Sequence, residues 1–184
     1  MTALLAQLLT ERGLPVVATK EPSDAAIGRL ARHGTNDYDG LALACLVTAD
    51  RYHHLASEIR PALRAGSIVL CDRYVPTSLV LQRLDGVAPT FLTHLNQHAD
   101  VPDLTIFLTS DPARSKERAR QRGTYSRFHD ANGQVEAGLY RAVAEELLDA
   151  GWPIVQYEVA EQSAEQVANV LQVAVLERLA ERSD

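Results

Sequence analysis

Several residue sets in this chain have the types and spacing to handle charge. Lys20-Glu21-Pro22 follows the apolar run Val16-Val17-Ala18-Thr19, and Asp72-Arg73-Tyr74 follows Ile68-Val69-Leu70-Cys71. An aspartate so placed can orient magnesium or its water, and an adjacent arginine can clamp a phosphate with two hydrogen bonds. A strand-end ion pair explains the same tripeptide equally well. Asp50-Arg51 stands one turn before His54. Its arginine either reaches inward to a ligand or forms a solvated helix-surface pair, and taken alone the surface pair is the expectation. His53 and His54 diverge by about 100° on a helix, a poor arrangement for a shared metal. The densest set is Arg114, Lys116, Arg118, Arg120, Arg122 and Arg127, which runs through Gly123-Thr124-Tyr125-Ser126. It reads as a solvated basic face, or as a lid whose arginines close on phosphate and stabilise developing negative charge.

These groups need a scaffold, and the periodicity supplies one. Four short apolar runs, at 16–19, 68–71, 104–108 and 154–159, have the length of strands buried on both faces. Helical patterns separate them. Leu4, Leu5, Leu8 and Leu9 form one stripe ending near Gly13, so the chain is expected to open directly in a helix and not in a signal segment. Leu41, Cys45, Thr48, Tyr52, Leu55 and Ile59 step by three and four, predicting a long helix with these residues inward. Asp111-Pro112 starts another, running to about Arg122. Ser163 and Gln166 form a capping box for a last helix with Val167, Val170, Leu171 and Ala174 inward. Alternating strands and helices predict a parallel sheet covered on both faces. Functional groups should then gather beyond the carboxyl ends of the strands.

Composition narrows the classes. The 184 residues suit one domain over 1–184, and 46% hydrophobic with 23% charged residues is ordinary for a globular chain. A balance of 18 basic against 24 acidic residues disfavours a general nucleic-acid binder, though not a local basic pocket for an anion. Cys45 and Cys71 sit among apolar residues; two cysteines make no metal site of their own and suggest a reduced, cytoplasmic setting. No apolar run is long enough to span a membrane.

Taken in order, the motifs resemble the thymidylate kinase family over most of the chain, Met1 to about Leu179. The resemblance rests on Lys20-Glu21-Pro22, Asp50-Arg51 with His54, Ile59-Arg60-Pro61-Ala62-Leu63 and Cys71-Asp72-Arg73-Tyr74. It continues with Thr77-Ser78-Leu79 and Gln82, then the run Pro102 to Leu108, then Arg120-Gln121-Arg122-Gly123 with Arg127-Phe128. What it implies is a three-layer P-loop kinase-like α/β fold with a parallel sheet and helices on both faces, and a lid at about 118–130. It implies ATP-dependent phosphorylation of a nucleoside monophosphate, dTMP first, with Mg2+. By matching position, Glu21 lies near acceptor and magnesium, Arg32 holds the acceptor's phosphate, and Arg51 hydrogen-bonds the thymine edge. Asp72 and Arg73 stand at the transfer centre. Ser78 and Gln82 line the base pocket, Arg118, Arg120, Arg122 and Arg127 belong to the lid, and Glu21 and Asp72 hold magnesium directly or through water. The partners so implied are ATP and the nucleotide, with neither nucleic acid nor membrane, and a homodimer is compatible with the resemblance.

The departures are specific. The family's glycine-rich phosphate loop, G-x-x-x-x-G-K-[ST], and the strand before it do not occur in this sequence. The first, central strand of the sheet is therefore expected to be absent, leaving two strands about 9–10 Å apart where neighbours need about 4.8 Å. These 184 residues alone are then expected to lack turnover, and a catalytically inactive nucleotide- or partner-binding remnant is the alternative reading. Val47 replaces the aromatic that stacks on thymine, Leu81 the tyrosine that screens the 2′ position, and Ser23-Asp24 the usual Gly-Gly. A kinase for a different nucleotide is the further alternative.

Overall fold

The structure is a computed structural model, and it describes residues 1–111 and 133–181. All four apolar runs form strands: β1 (Val16–Lys20), β2 (Ile68–Asp72), β3 (Thr105–Thr109) and β4 (Ile154–Glu158). They pair in parallel as β1–β2 and β3–β4, in unbroken register from Val16 against Ile68 to Lys20 against Asp72, and from Thr105 against Ile154 to Thr109 against Glu158. Among the described residues no ladder joins the two pairs.

Helices α1 (Thr2–Thr10) and α8 (Ala164–Glu181) cover one side. Leu5, Leu9, Val167, Leu171 and Val175 pack there with Val16, Leu70, Leu104 and Ile106, so both strand pairs contribute to one core. The capping box forms, with Ser163 Oγ accepting from the Gln166 amide and the Gln166 side chain accepting from the Ser163 amide. On the opposite side, Phe107 and Ile154 meet α5 (Val75–Leu84), α6 (Pro89–Leu95) and α7 (Gly133–Asp149) through Val80, Leu92, Val143 and Leu147. Ile106 and Phe107 thus face different cores, as the period of two requires.

The remaining helices are α2 (Ala26–His33), α3 (Gly40–His54) and α4 (Arg60–Arg64). A π-helical turn over Leu55–Ile59 joins the last two. It precedes Pro61, which has no N–H to return to the carbonyl four residues back, so a widened turn carries the helix through.

Three expectations need correction. The strands are only half-buried, Phe107 being their one buried side chain, because among the described residues each strand has a ladder partner on one side alone. In α3, Leu41 and Cys45 are exposed; the buried face is Leu43, Ala44, Thr48, Asp50, Arg51 and His54. Thr48, Leu55 and Ile59 of the stripe are buried, but the stripe missed Asp50, Arg51 and His54, which are buried by pairing with Ser23, Glu21 and Thr19 outside the helix. Val170 is likewise exposed, since Val167, Ala168, Leu171 and Val175 already define the face of α8 toward α1. The helix expected from Pro112 to Arg122 lies outside the described residues.

Helices α5 and α7 are clamped by Arg83, whose two terminal nitrogens donate to the two oxygens of Glu146 at 2.8 and 2.5 Å. The Arg83 hydrogen bond and charge lower the Glu146 pKa against a smaller opposing effect of burial. A carboxylate with a lowered folded pKa stabilises above its unfolded value and loses that contribution as pH falls through the folded one. Glu146→Gln is therefore expected to lose Tm less steeply than the parent as pH falls below the ordinary glutamate range, and to differ most from it near neutrality. Equal slopes in a pH series of thermal melts would show that the clamp does not couple to folding.

Candidate active site

The carboxyl ends of β1 and β2 lie side by side. The last rung between them is the Glu21 amide donating to the Asp72 carbonyl at 2.9 Å. Beyond it the chain turns through a cis Glu21–Pro22 bond into Ser23, whose amide and hydroxyl both donate to the Asp50 carboxylate at 2.6 Å. Asp50 is wholly buried and Ser23 nearly so. Gly28 lets α2 approach this turn: a Cβ there would collide with the Ser23 backbone and the Asp50 carboxylate.

Arg51, the next residue of α3, is buried at 1% exposure, which overturns the expectation of a solvated surface pair. Its Nε donates to Glu21 Oε2 at 2.8 Å, one terminal nitrogen to Asn96 Oδ1, and the other to Ser78 Oγ at 2.9 Å. Its guanidinium carbon also stands 5.3 Å from the centre of the Tyr74 ring, a cation–π arrangement. Asn96 is itself anchored, donating to the Leu92 carbonyl at 2.8 Å. A guanidinium has five N–H donors, so among the described residues one remains on each terminal nitrogen. One turn beyond Ser78 on α5, Gln82 is buried with its Oε1 unpartnered. Glu21, Arg51, Ser78 and Gln82 therefore contribute to the polar interior between α3 and α5.

Asp72 and Arg73 occupy a different environment. Both are exposed, at the end of β2. Arg73 has φ 68°, the left-handed region, which for a non-glycine residue costs of order 1–3 kcal/mol and is met mostly where function demands it. Arg32 lies apart from this group. Its terminal nitrogens donate to Asp24 Oδ1 at 2.8 Å, to the Ser23 carbonyl at 3.1 Å and to the Pro22 carbonyl, while Lys20 Nζ also reaches Asp24 at 3.3 Å. Arg118, Arg120, Arg122 and Arg127, with the lid at 118–130, lie outside the described residues.

His54 and Cys71 complete the interior. His54 is buried at 1%, with Nδ1 3.5 Å from Glu21 Oε1 and Nε2 2.8 Å from Thr19 Oγ1 and 3.5 Å from the Glu58 carboxylate. Burial works to lower the His54 pKa, but the neighbouring Glu21 carboxylate, with Glu58 and Asp50 behind, outweighs it and raises the value. Burial raises the Cys71 thiol, with Glu21 adding to the effect, and it raises Tyr74 similarly. Cys71 therefore stands beside polar groups, and Cys45 is exposed, so neither has the apolar surroundings expected of it. Asn96, His54 and the Tyr74 ring were missed as site residues. His54 had a signal, being one turn from Asp50 on the same helix, whereas nothing local marks Asn96.

The family model described as thymidylate kinase matches residues 1–170. A probable thymidylate kinase of Pyrobaculum aerophilum is 36% identical over 175 residues, covering 89% of this chain and 88% of that protein. One from Pyrobaculum calidifontis is 38% identical over 176 residues, 91% and 86% of the two chains. A thymidylate kinase of Clavibacter sepedonicus is 36% identical over 170 residues, 83% and 81%.

Removing one partner of a buried ion pair leaves the other charge uncompensated, a loss of about 3–5 kcal/mol. Glu21→Ala is expected to destabilise by that amount in denaturant unfolding, and Asn96→Ala by about 1–3 kcal/mol through the orphaned donor. A Glu21→Ala loss below about 1 kcal/mol would mean that water enters and solvates Arg51.

Proposed function

The chain belongs to the thymidylate kinase family, and from that premise we propose that it moves the γ-phosphoryl group of ATP to dTMP, with Arg51 reading the base. The observation carrying this is the Arg51 guanidinium, held on three sides and keeping a donor on each terminal nitrogen, with the unpartnered Gln82 Oε1 also buried on α5. Such a set matches a base edge that offers both acceptors and a donor. Ser78 and Glu21 fix the arginine's plane. Arg32, drawn toward the turn after β1 by Asp24, is the cation for the acceptor's phosphate.

Phosphoryl transfer of this kind is mostly positioning and electrostatic stabilisation. Arg73, presented at the end of β2 by its unusual backbone, clamps the phosphate in transit. The arginines at 118, 122 and 127 serve as the lid's charges. Of the two carboxylates expected near magnesium, Asp72 fits, being exposed at a strand end with room for the ion's waters. Glu21 fits less well, since Arg51 takes Oε2 and Oε1 is enclosed against His54. Held by Asp72, magnesium would supply positive charge to neutralise the phosphate oxygens.

For the fold we read β1–β2 and β3–β4 as halves of one parallel sheet in a single domain, with a place for a further strand between β2 and β3. The support is that Leu70 and Ile106, one from each half, pack into the same core, while β2 and β3 each have one ladder partner among the described residues. In the family's pattern that strand leads into the glycine-rich loop for ATP.

Three measurements bear on this reading. Fusing about 20 residues that carry a strand and such a loop before Met1 is expected to raise ATP affinity at least tenfold. Unchanged affinity counts against the place in the sheet. In that extended chain Arg73→Gly should slow turnover by about 10²–10³ while Tm holds or rises, because glycine tolerates the positive φ. Normal turnover would make Arg73 structural. Val47→Phe with Leu81→Tyr should tighten dTMP by about 1–3 kcal/mol and favour deoxyribonucleotides. No change in either quantity would point to a different acceptor.

A further inference from the structure

We propose that Glu21, His54 and Cys71 form a binding site for a thiophilic divalent cation of the zinc class, next to the base-reading arginine. One ligand atom from each lies within 4.8 Å of the others. Glu21 Oε1 and His54 Nδ1 are both fully enclosed and have no hydrogen-bond partner, although they face each other at 3.5 Å. Nε2 of the same imidazole lies 2.8 Å from the Thr19 hydroxyl and 3.5 Å from the Glu58 carboxylate, and the latter can only accept, which favours the tautomer with the ring N–H on Nε2. Nδ1 then points its lone pair at a carboxylate oxygen. Two buried acceptors in that relation repel unless a positive centre lies between them.

A zinc ion suits the gap. Zinc binds carboxylate oxygen and imidazole nitrogen at about 2.0–2.2 Å and thiolate at about 2.3 Å, which places neighbouring tetrahedral ligands about 3.5 Å apart. The Glu21–His54 pair already has that separation. Thr19 on Nε2 supplies the outer contact that fixes the tautomer and orientation of a ligating imidazole. The nitrogen–sulfur–oxygen set selects against magnesium, which takes oxygen ligands and keeps its waters. Binding breaks the Cys71 S–H bond and forms a metal–thiolate bond, and the proton leaves to solvent. A water completes the coordination.

The site shares Glu21 with Arg51, whose Nε holds the other carboxylate oxygen at 2.8 Å. A cation on Oε1 draws electron density from that bond, so its occupancy weakens the hold on Arg51 and with it acceptor binding. This consequence rests on the proposed function; the metal site does not.

The test is titration of the chelator-treated chain with Zn2+ and Co2+, and of Cys71→Ser and His54→Gln, whose amide keeps the bond to Thr19. The expected result is one ion per chain, with a thiolate-to-cobalt charge-transfer band that Cys71→Ser abolishes. Zinc affinity should fall at least tenfold in both variants. Millimolar Mg2+ should leave the cobalt band unchanged. Binding that survives Cys71→Ser, or no stoichiometric binding, overturns the site and leaves a proton as the positive centre. If either variant unfolds, the parent's cobalt spectrum decides alone, since a band without sulfur character is equally fatal. Calorimetric titration of dTMP with and without bound zinc then reads the coupling. A dTMP affinity at least threefold weaker with zinc supports it, and equal affinities overturn the coupling while the cobalt band still reports the site.

Discussion

A buried guanidinium constrains everything around it. Arg51 has given up its water, and the loss is tolerable only if each neighbouring element returns a partner. The turn after β1 returns Glu21, α5 returns Ser78, α6 returns Asn96, and the start of α5 returns the Tyr74 ring. These contacts fix three pieces of chain, the turn after β1, α5 and the end of α6, relative to α3. They also explain why the helix's buried face carries Asp50, Arg51 and His54 alongside Leu43 and Ala44.

The two strand ends divide the labour. At the end of β1 the chain turns inward, and its carboxylate is enclosed at 4% exposure. At the end of β2 it turns outward, so Asp72 and Arg73 meet solvent, with Arg73 held at a positive φ. The last rung of the β1–β2 ladder, Glu21 amide to Asp72 carbonyl, ties the enclosed end of β1 to the exposed end of β2. A shift of β1 against β2 would be felt at both.

Glu21 is the point where these arrangements meet. One oxygen serves Arg51, and the other faces His54 Nδ1 close to a thiol. Its bond to Arg51 is thus exposed to whatever positive centre the second oxygen holds. A cation in the proposed site would thereby couple this small buried pocket to the posture of Arg51.

The strands and helices α1, α3 and α8 were legible in the sequence because they rest on local properties. Apolar runs of strand length, the Ser163–Gln166 capping box and the leucine stripe of α1 each need only their near neighbours. The order of motifs around Glu21, Arg51 and Asp72-Arg73 was sufficient for the family, since it survives without any knowledge of packing. The inward face of α3 was not legible, because a hydrophobic period cannot anticipate polar residues buried by pairing outside the helix. Nor was Asn96, which lies 45 residues from Arg51 and carries no local mark of its role. The meeting of Glu21, His54 and Cys71 was hidden for the same reason. Only the parallel register of β1 with β2, and the packing of α3 across their ends, brings a carboxylate, an imidazole and a thiol from three separate segments to one point.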